Sequence, residues 1–205
     1  MVTSLPLLLT PKPRTDSIYI LIFINPAHAI PPMEKHFLLL LALLLTMLVG
    51  CTTHRSQQLV AVLQPTRGNT ANGVVTFTQV SHGIQIIADV KGLQPNTRHG
   101  FHIHAFGDMR DPSGKSAGGH YNPQNQPHAK PASPKRHAGD MGNLVADASG
   151  TAHYKRVDSH ITISGCKNAI IGRGVIVHAG PDTFVQPTGA AGARIAIGVI
   201  GVAKP

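Results

Sequence analysis

From Leu59 onward the chain alternates apolar and polar residues in short runs separated by turn-forming residues. The runs are Leu59–Leu63, Gly73–Val80, Ile84–Val90, Arg98–Ala105, Thr151–Arg156, His160–Ile163, Gly174–His178 and Ala193–Val202. A period of two places alternate side chains on the same face of a strand. With 21 glycines and 16 prolines supplying turns, the pattern predicts an all-β domain, an antiparallel sandwich or barrel of about eight strands, rather than βαβ units. It contains no credible long helix. The interval Gly107–Asn143 is rich in Gly, Pro and Asn and has little periodic hydrophobicity. It reads as a long loop, and a loop of that length in a compact domain needs something to order it.

A different pattern precedes the domain. Met33-Glu34-Lys35-His36 opens a run from Phe37 to Val49 that is apolar except for Thr46, the layout of a secretory signal. The run is well short of the roughly twenty residues needed to span a membrane as a helix. It ends in Leu48-Val49-Gly50-Cys51, which looks like a bacterial lipobox, with cleavage before Cys51 and lipid joined to its thiol. Residues 33–50 are therefore expected to be a lipoprotein signal peptide, 51–58 a polar tether and 59–205 the domain. Residues 1–32 read as an extension from an upstream start, with translation beginning at Met33. Thr52 stands where inner-membrane retention is associated with aspartate, which favours the outer membrane, on the periplasmic side of the cell envelope.

The chain carries a formal charge of +9, from 18 Lys and Arg against 9 Asp and Glu. Residues 1–50 hold Lys12, Arg14 and Lys35 against Asp16 and Glu34, so the remainder keeps 18 − 3 = 15 basic and 9 − 2 = 7 acidic residues, a charge of +8. These charges are scattered, and aromatic residues for stacking bases are few, which argues against nucleic acid as a partner. A small anionic substrate or an anionic surface fits the field better.

The candidate chemistry is histidine-based. His102 and His104 alternate on a predicted strand, so both rings project from one face, roughly 7 Å apart at Cα. His120, His128, His137 and Asp140 follow in the loop, and His178 lies sixteen residues before Arg194. Three His and one Asp form a closed set that suits zinc. A histidine set with a gap for solvent suits copper. Metal binding could also supply the free energy that orders the loop.

These residues stand in motifs that resemble the copper/zinc superoxide dismutases. The motifs are Gly100-Phe101-His102-Ile103-His104-Ala105-Phe106-Gly107-Asp108, Gly119-His120-Tyr121-Asn122-Pro123, His137-Ala138-Gly139-Asp140-Met141-Gly142-Asn143, Ile171-Gly172-Arg173 through His178, and Gly189-Ala190-Ala191-Gly192-Ala193-Arg194. Each is weak alone; together, in the family's order over Leu59–Ala203, they are specific. The resemblance implies a Greek-key sandwich or barrel with long metal-binding loops. It implies copper held by His102, His104, His120 and His178, and zinc held by His120, His128, His137 and Asp140, with His120 bridging as an imidazolate. It further implies Asp182 as the carboxylate that hydrogen-bonds His102 and His128, and Arg194 as the group that docks superoxide. The implied reaction is dismutation to oxygen and hydrogen peroxide, with His120 and Arg194 as the catalytic side chains.

Departures from the family pattern matter too. The family's intrachain disulfide joins a loop cysteine before the bridging histidine to one just after the arginine. Those places hold Gly114 or Lys115 and Ile197 here, and Cys166 lies elsewhere. Losing such a bridge typically costs about 2 to 5 kcal/mol, so the pinning of the loop carrying His120 is an open question. The interval from His178 to Arg194 is short, with Asp182 its one charged residue. His54, His82, His99, His153 and His160 match no ligand and are expected to be solvated. The competing functional readings are a periplasmic copper/zinc reservoir and a structural lipoprotein without turnover. No subunit interface is legible in the sequence.

Overall fold

The computed structural model describes His36, Phe37, Leu40 and residues 58–204. The expected extension, the lipidation site Cys51, nearly all of the signal peptide and the tether up to Gln57 lie outside the described residues. The chain divides into a unit at 1–53 and a unit at 54–205, and the second holds the fold described below.

Nine strands form it: β1 (Gln58–Pro65), β2 (Asn72–Val80), β3 (Gly83–Lys91), β4 (Arg98–His104), β5 (Asp140–Val145), β6 (Ala152–Asp158), β7 (Gly174–His178), β8 (Arg194–Val199) and β9 (Gly201–Val202). The hydrogen-bonded order is β5-β4-β7-β8-β1-β2-β3-β6, with the two-residue β9 added to β1. Every pairing is antiparallel. The connections β3 to β4 and β6 to β7 cross from one end of this order toward the other. At its ends β5 and β6 come together without pairing, so the sheet is a nearly closed barrel.

The expected alternation is realised on β1 to β3, where Leu59, Ala61, Leu63, Val75, Phe77, Ile84, Ile86, Ala88 and Val90 are buried in one core. The expected strand at Ala193–Val202 is divided at Ile200, and the expected tether gives up Gln58 to β1. Two expectations are corrected. His160–Ile163 forms no strand; this segment makes bends and a bridge between Thr162 and Ala169. The interval read as one long loop instead contains a short 3-10 turn at Lys115–Ala117 and delivers Asp140–Val145 into β5. Its sparse hydrophobicity concealed the strand, because β5 pairs along only one edge and begins with a charged residue.

β4 and β7, with most of β8, are buried on both faces. Phe101, Ile103, Val175 and Val177 enter the main core. On the opposite face Ile176 packs with Ala117, Ile197 and Met109, beneath the loop that follows β4. The outer wall of the barrel at β4 and β7 is thus roofed by loops, and His102 and His104 lie under that roof. Gly139 is part of the same construction. A side chain there would collide with the Ile103 carbonyl oxygen, so only glycine lets the turn before β5 press onto β4.

The unpaired seam between β5 and β6 is closed by Arg136, a fully buried side chain. Its Nη2 donates to Asp158 at 2.5 Å, and its Nη1 donates to the carbonyls of His137, Ala138 and Asp140 at 2.9, 3.3 and 3.2 Å. Removing one partner of a buried ion pair strands the other charge, which costs about 3–5 kcal/mol. Arg136→Met should therefore destabilise the metal-free protein by about 3 kcal/mol, the low end of that range, because Arg156 Nε remains 3.6 Å from Asp158. Urea denaturation checks this, and a loss below about 1 kcal/mol would contradict the structural role.

Candidate metal centre

The structure brings all seven residues of the expected ligand sets together, in two groups that share His120. His102 and His104 come from the roofed face of β4, and His178 from the end of β7. His120 is placed by an antiparallel bridge to His104. Within this first group each of three rings commits one nitrogen to the protein. His102 Nε2 donates to Asp182 Oδ2 at 2.9 Å, His104 Nδ1 to the Gly118 carbonyl at 2.8 Å and His178 Nδ1 to the Gly192 carbonyl at 3.1 Å. A ring that donates from one nitrogen presents a lone pair at the other. Those other nitrogens, His102 Nδ1, His104 Nε2 and His178 Nε2, are buried and have no hydrogen-bond partner. Buried polar atoms are nearly always satisfied, so three orphaned lone pairs converging beside His120 fit a cation.

In the second group one carboxylate oxygen is surrounded by imidazoles. Asp140 Oδ1 lies 3.0 Å from His120 Nδ1, 2.9 Å from His128 Nδ1 and 3.2 Å from His137 Nδ1. Asp140 Oδ2 accepts the backbone N–H groups of Ala129 and His137 at 3.1 and 3.0 Å, which aims Oδ1 at the rings. His120 turns Nδ1 to this group and leaves Nε2 for the first. The donor set of three His and one Asp is that of a closed tetrahedral site.

Asp182 joins the two groups. Its oxygens accept from His102 Nε2 and His128 Nε2, each at 2.9 Å. Its backbone is clamped by Asn143, whose Oδ1 accepts the Asp182 N–H at 2.7 Å and whose Nδ2 donates to the Asp182 carbonyl at 3.0 Å. Gly189 backs this contact; a side chain there would strike Asp182 Oδ1 and approach His128 Nε2. Carboxylates placed this way fix tautomer and ring orientation.

Electrostatics follow from burial. Burial, with the neighbouring His120, holds His104 well below the usual histidine range. Burial lowers His120 to about 4, against the opposing hydrogen bond to Asp140, and lowers His178 to about 3 with help from His102. Burial also disfavours the charged form of His128, but its contacts with Asp140 and Asp182 outweigh it and push this ring up to about 9. Both carboxylates are held far below their usual range; burial opposes the shift, and hydrogen bonds from the surrounding rings overcome it. His104, His120 and His178 are thus held neutral and ready to ligate, while His128 and the two carboxylates hold compensated charge.

Arg194 lies at the mouth of the first group. A register shift between Val177 and His178 seats it opposite His178. It lines an open cavity of about 260 Å³ together with His104, His120, His178 and Thr188. Its guanidinium donates to the carbonyls of Gly114 and Gly118. Those contacts answer the question of the missing disulfide. Gly114 or Lys115 and Ile197 stand at the two positions, and the described cysteine, Cys166, is free and exposed. The loop is held instead by Arg194, by the Arg67 N–H donating to the Pro112 carbonyl at 2.8 Å, and by Ala117 packed on Ile176 and Ile197.

Among the non-ligand histidines, His82 and His153 are exposed and His54 lies outside the described residues. His160 is half-buried against the Pro134 carbonyl. His99 corrects the expectation of a solvated ring. It is buried, bonded to the His178 carbonyl at 2.9 Å and to Thr97 Oγ1 at 2.7 Å. No periodic signal separates it from a surface histidine, because its partners come from the turn before β4 and the end of β7. Arg136 and Asn143 likewise carry no periodic signal of their roles, although Asn143 ends one of the motifs.

The pH dependence of the metal-free protein has a defined sign. Below the unfolded histidine pKa of roughly 6.5 the unfolded chain takes up protons that folded His104, His120 and His178 resist, so stability falls as pH drops. The fall should continue down to about 4 and about 3, the folded values of His120 and His178. Asp140 and Asp182 add a further loss below roughly pH 4. His128 acts oppositely: its contribution is complete below roughly pH 6.5 and is lost as pH rises through about 9. Thermal unfolding of metal-free protein should show the midpoint declining between roughly pH 6.5 and 4; a flat profile there would contradict the burial of neutral rings.

Residues 71–200 match the family model described as copper/zinc superoxide dismutase (SODC). Similar curated proteins include "Superoxide dismutase [Cu-Zn]" of Onchocerca volvulus, 41% identical over 159 residues, spanning 72% of this chain and 97% of the relative. The "Superoxide dismutase [Cu-Zn]" of Paramecium bursaria Chlorella virus 1 is 39% identical over 181 residues, 82% of this chain and 94% of the relative. "Extracellular superoxide dismutase [Cu-Zn]" of Brugia pahangi is 38% identical over 168 residues, 77% and 82% of the two chains. The alignments span 82% to 97% of these relatives and the family model covers most of the barrel, and the chain belongs to the copper/zinc superoxide dismutase family.

Proposed function

We propose that the protein dismutates superoxide, with copper held by His102, His104, His120 and His178 and zinc held by His120, His128, His137 and Asp140. The observation that carries this reading is the set of three orphaned, buried imidazole nitrogens beside His120, at the foot of a cavity that Arg194 borders. Bound copper supplies the one-electron redox chemistry that converts one superoxide to oxygen and the next to hydrogen peroxide. The protein's own groups do the rest. Arg194 attracts the anion and orients it by charge and hydrogen bonding. Its two carbonyl contacts fix the guanidinium plane toward the cavity. His120 Nε2, the nitrogen that would ligate copper, is also the atom that would hold a proton whenever it is not ligating, since its Nδ1 is committed to the Asp140 group. Asp182 keeps the proton of His102 on Nε2, so Nδ1 stays available as a ligand.

A reservoir would hold the same metals without needing an anion-docking cation. In samples loaded to equal copper and zinc content, Arg194→Ala should lose about tenfold or more of the dismutation rate, the scale of electrostatic steering. Added salt should slow the parent more than the variant, because exposed charges are screened over about 8–10 Å. Full activity in fully loaded Arg194→Ala would remove this residue from the mechanism. Absence of turnover in the copper-loaded parent would favour storage.

We further propose that residues 33–50 are removed and that Cys51 carries lipid, tethering the domain to the periplasmic side of the envelope, at the outer membrane. The lipobox pattern supports this, and a relative named extracellular agrees with export. Cys51→Ser should abolish incorporation of labelled palmitate and stop processing at that site. Native protein with an intact Met33–Gly50 segment and no lipid would overturn the proposal.

A further inference from the structure

His128 lies in a segment that the rest of the barrel holds through side chains, with Asp140 on the Ala129 N–H and Arg156 and His160 on the carbonyls of Pro131 and Pro134. Between Asn122 and Arg136 the described backbone-to-backbone hydrogen bonds stay within the segment, Asn125 to Asn122 and Ser133 to Lys130. The ring of His128 is held by Asp140 and Asp182, contacts that depend on the protonation of the ring. Its backbone is held differently. Gln186 Oε1 accepts the His128 N–H at 3.0 Å, and Gln186 Nε2 donates to the His128 carbonyl at 2.6 Å. A side-chain amide thus reads both polar groups of one residue, a contact indifferent to protonation and to metal.

Gln186 is presented by a compact loop. The Thr183 N–H donates to the Gly189 carbonyl at 2.9 Å, and the Gly189 N–H to the Val185 carbonyl at 2.7 Å. Inside it Phe184 stacks on the His128 ring, with centroids 6.1 Å apart and planes inclined by 19°. Phe184 adopts φ of 62°, a left-handed conformation that a bulky residue takes only when its surroundings hold it there. The Phe184 N–H donating to Asp182 Oδ1 at 2.8 Å is part of that hold. The same loop supplies Thr188, Ala191 and Gly192 to the copper-side cavity, and the Gly192 carbonyl orients His178.

We propose that Gln186 is a positioning residue for the zinc half of the centre, holding the backbone of His128 from the loop that also walls the copper half. The inference rests on the assignment of His128 to zinc made above. Preorganising His128 before metal arrives reduces the ordering that binding must otherwise supply. It makes zinc retention sensitive to a loop whose other end lines the substrate cavity.

The test uses copper- and zinc-loaded protein and reads zinc transfer to a chromogenic chelator. Gln186→Met keeps the length and drops both hydrogen bonds. It should speed zinc release about tenfold or more, within the 10–100-fold range typical of groups that support metal ligands, with copper content and the visible copper band at parent values. Gln186→Glu keeps the acceptor for the His128 N–H and should release zinc at a rate between the two. Parent-like zinc release from Gln186→Met would overturn the proposal. So would equal acceleration of copper and zinc loss with a lowered melting point of the metal-free protein, which would mark a general structural role. His128→Ala run in parallel separates the two readings. If it loses zinc while Gln186→Met does not, the positioning role alone fails; if it retains zinc fully, the ligand assignment beneath it fails.

Discussion

Buried lone pairs are the constraint on which this structure depends. His102, His104 and His178 each give one nitrogen to a fixed acceptor and leave the other buried without a partner. Leaving a buried polar atom unsatisfied costs about 1–3 kcal/mol, and three such atoms face one point. The surrounding architecture holds the rings in that state. Asp182 and the carbonyls of Gly118 and Gly192 select the tautomers, and burial keeps His104 and His178 neutral. Free energy withheld from the metal-free fold is thereby available to a cation that fills the point.

Placing those rings outside the main core is the work of the loops. Period-two alternation on β4 sends Phe101 and Ile103 into the barrel and His102 and His104 out of it. An outward-facing imidazole on a bare sheet would be solvated, so the roof over β4 and β7 makes these residues a site. The roof is fastened without a disulfide. Carbonyl contacts from Arg194, a small apolar cluster around Ile176, and the buried Arg136–Asp158 pair hold its separate parts. Arg194 both faces the cavity and ties down the loop that bears His120. The cavity wall and the loop geometry therefore share one side chain.

Much of this was legible in the chain. Alternation gave seven of the nine strands at close to their observed positions, because a half-buried strand writes its faces into sequence with a period of two. β5 was hidden, since Asp140–Val145 begins inside a Gly- and Pro-rich interval and its first residue serves the site. His160–Ile163 mimicked a strand while forming bends. That these His and Asp residues would be gathered was legible through motif order and spacing, and the spacing of His102 and His104 had a direct geometric reason.

What the sequence determined by itself was therefore local: which residues alternate, which can ligate a metal, and where an apolar run ends in Cys51. Tertiary structure alone decided how those residues meet. That Asp182 spans His102 and His128, that His99 is buried behind His178, that Arg136 closes the seam, and that Gln186 reads the backbone of His128 are contacts between segments 22 to 80 residues apart. The physical reason is that hydrogen bonding and burial depend on distance in space. A single chain records periodicity and composition, whereas the partner of a buried polar group is fixed only when barrel closure and loop packing bring distant segments within about 3 Å.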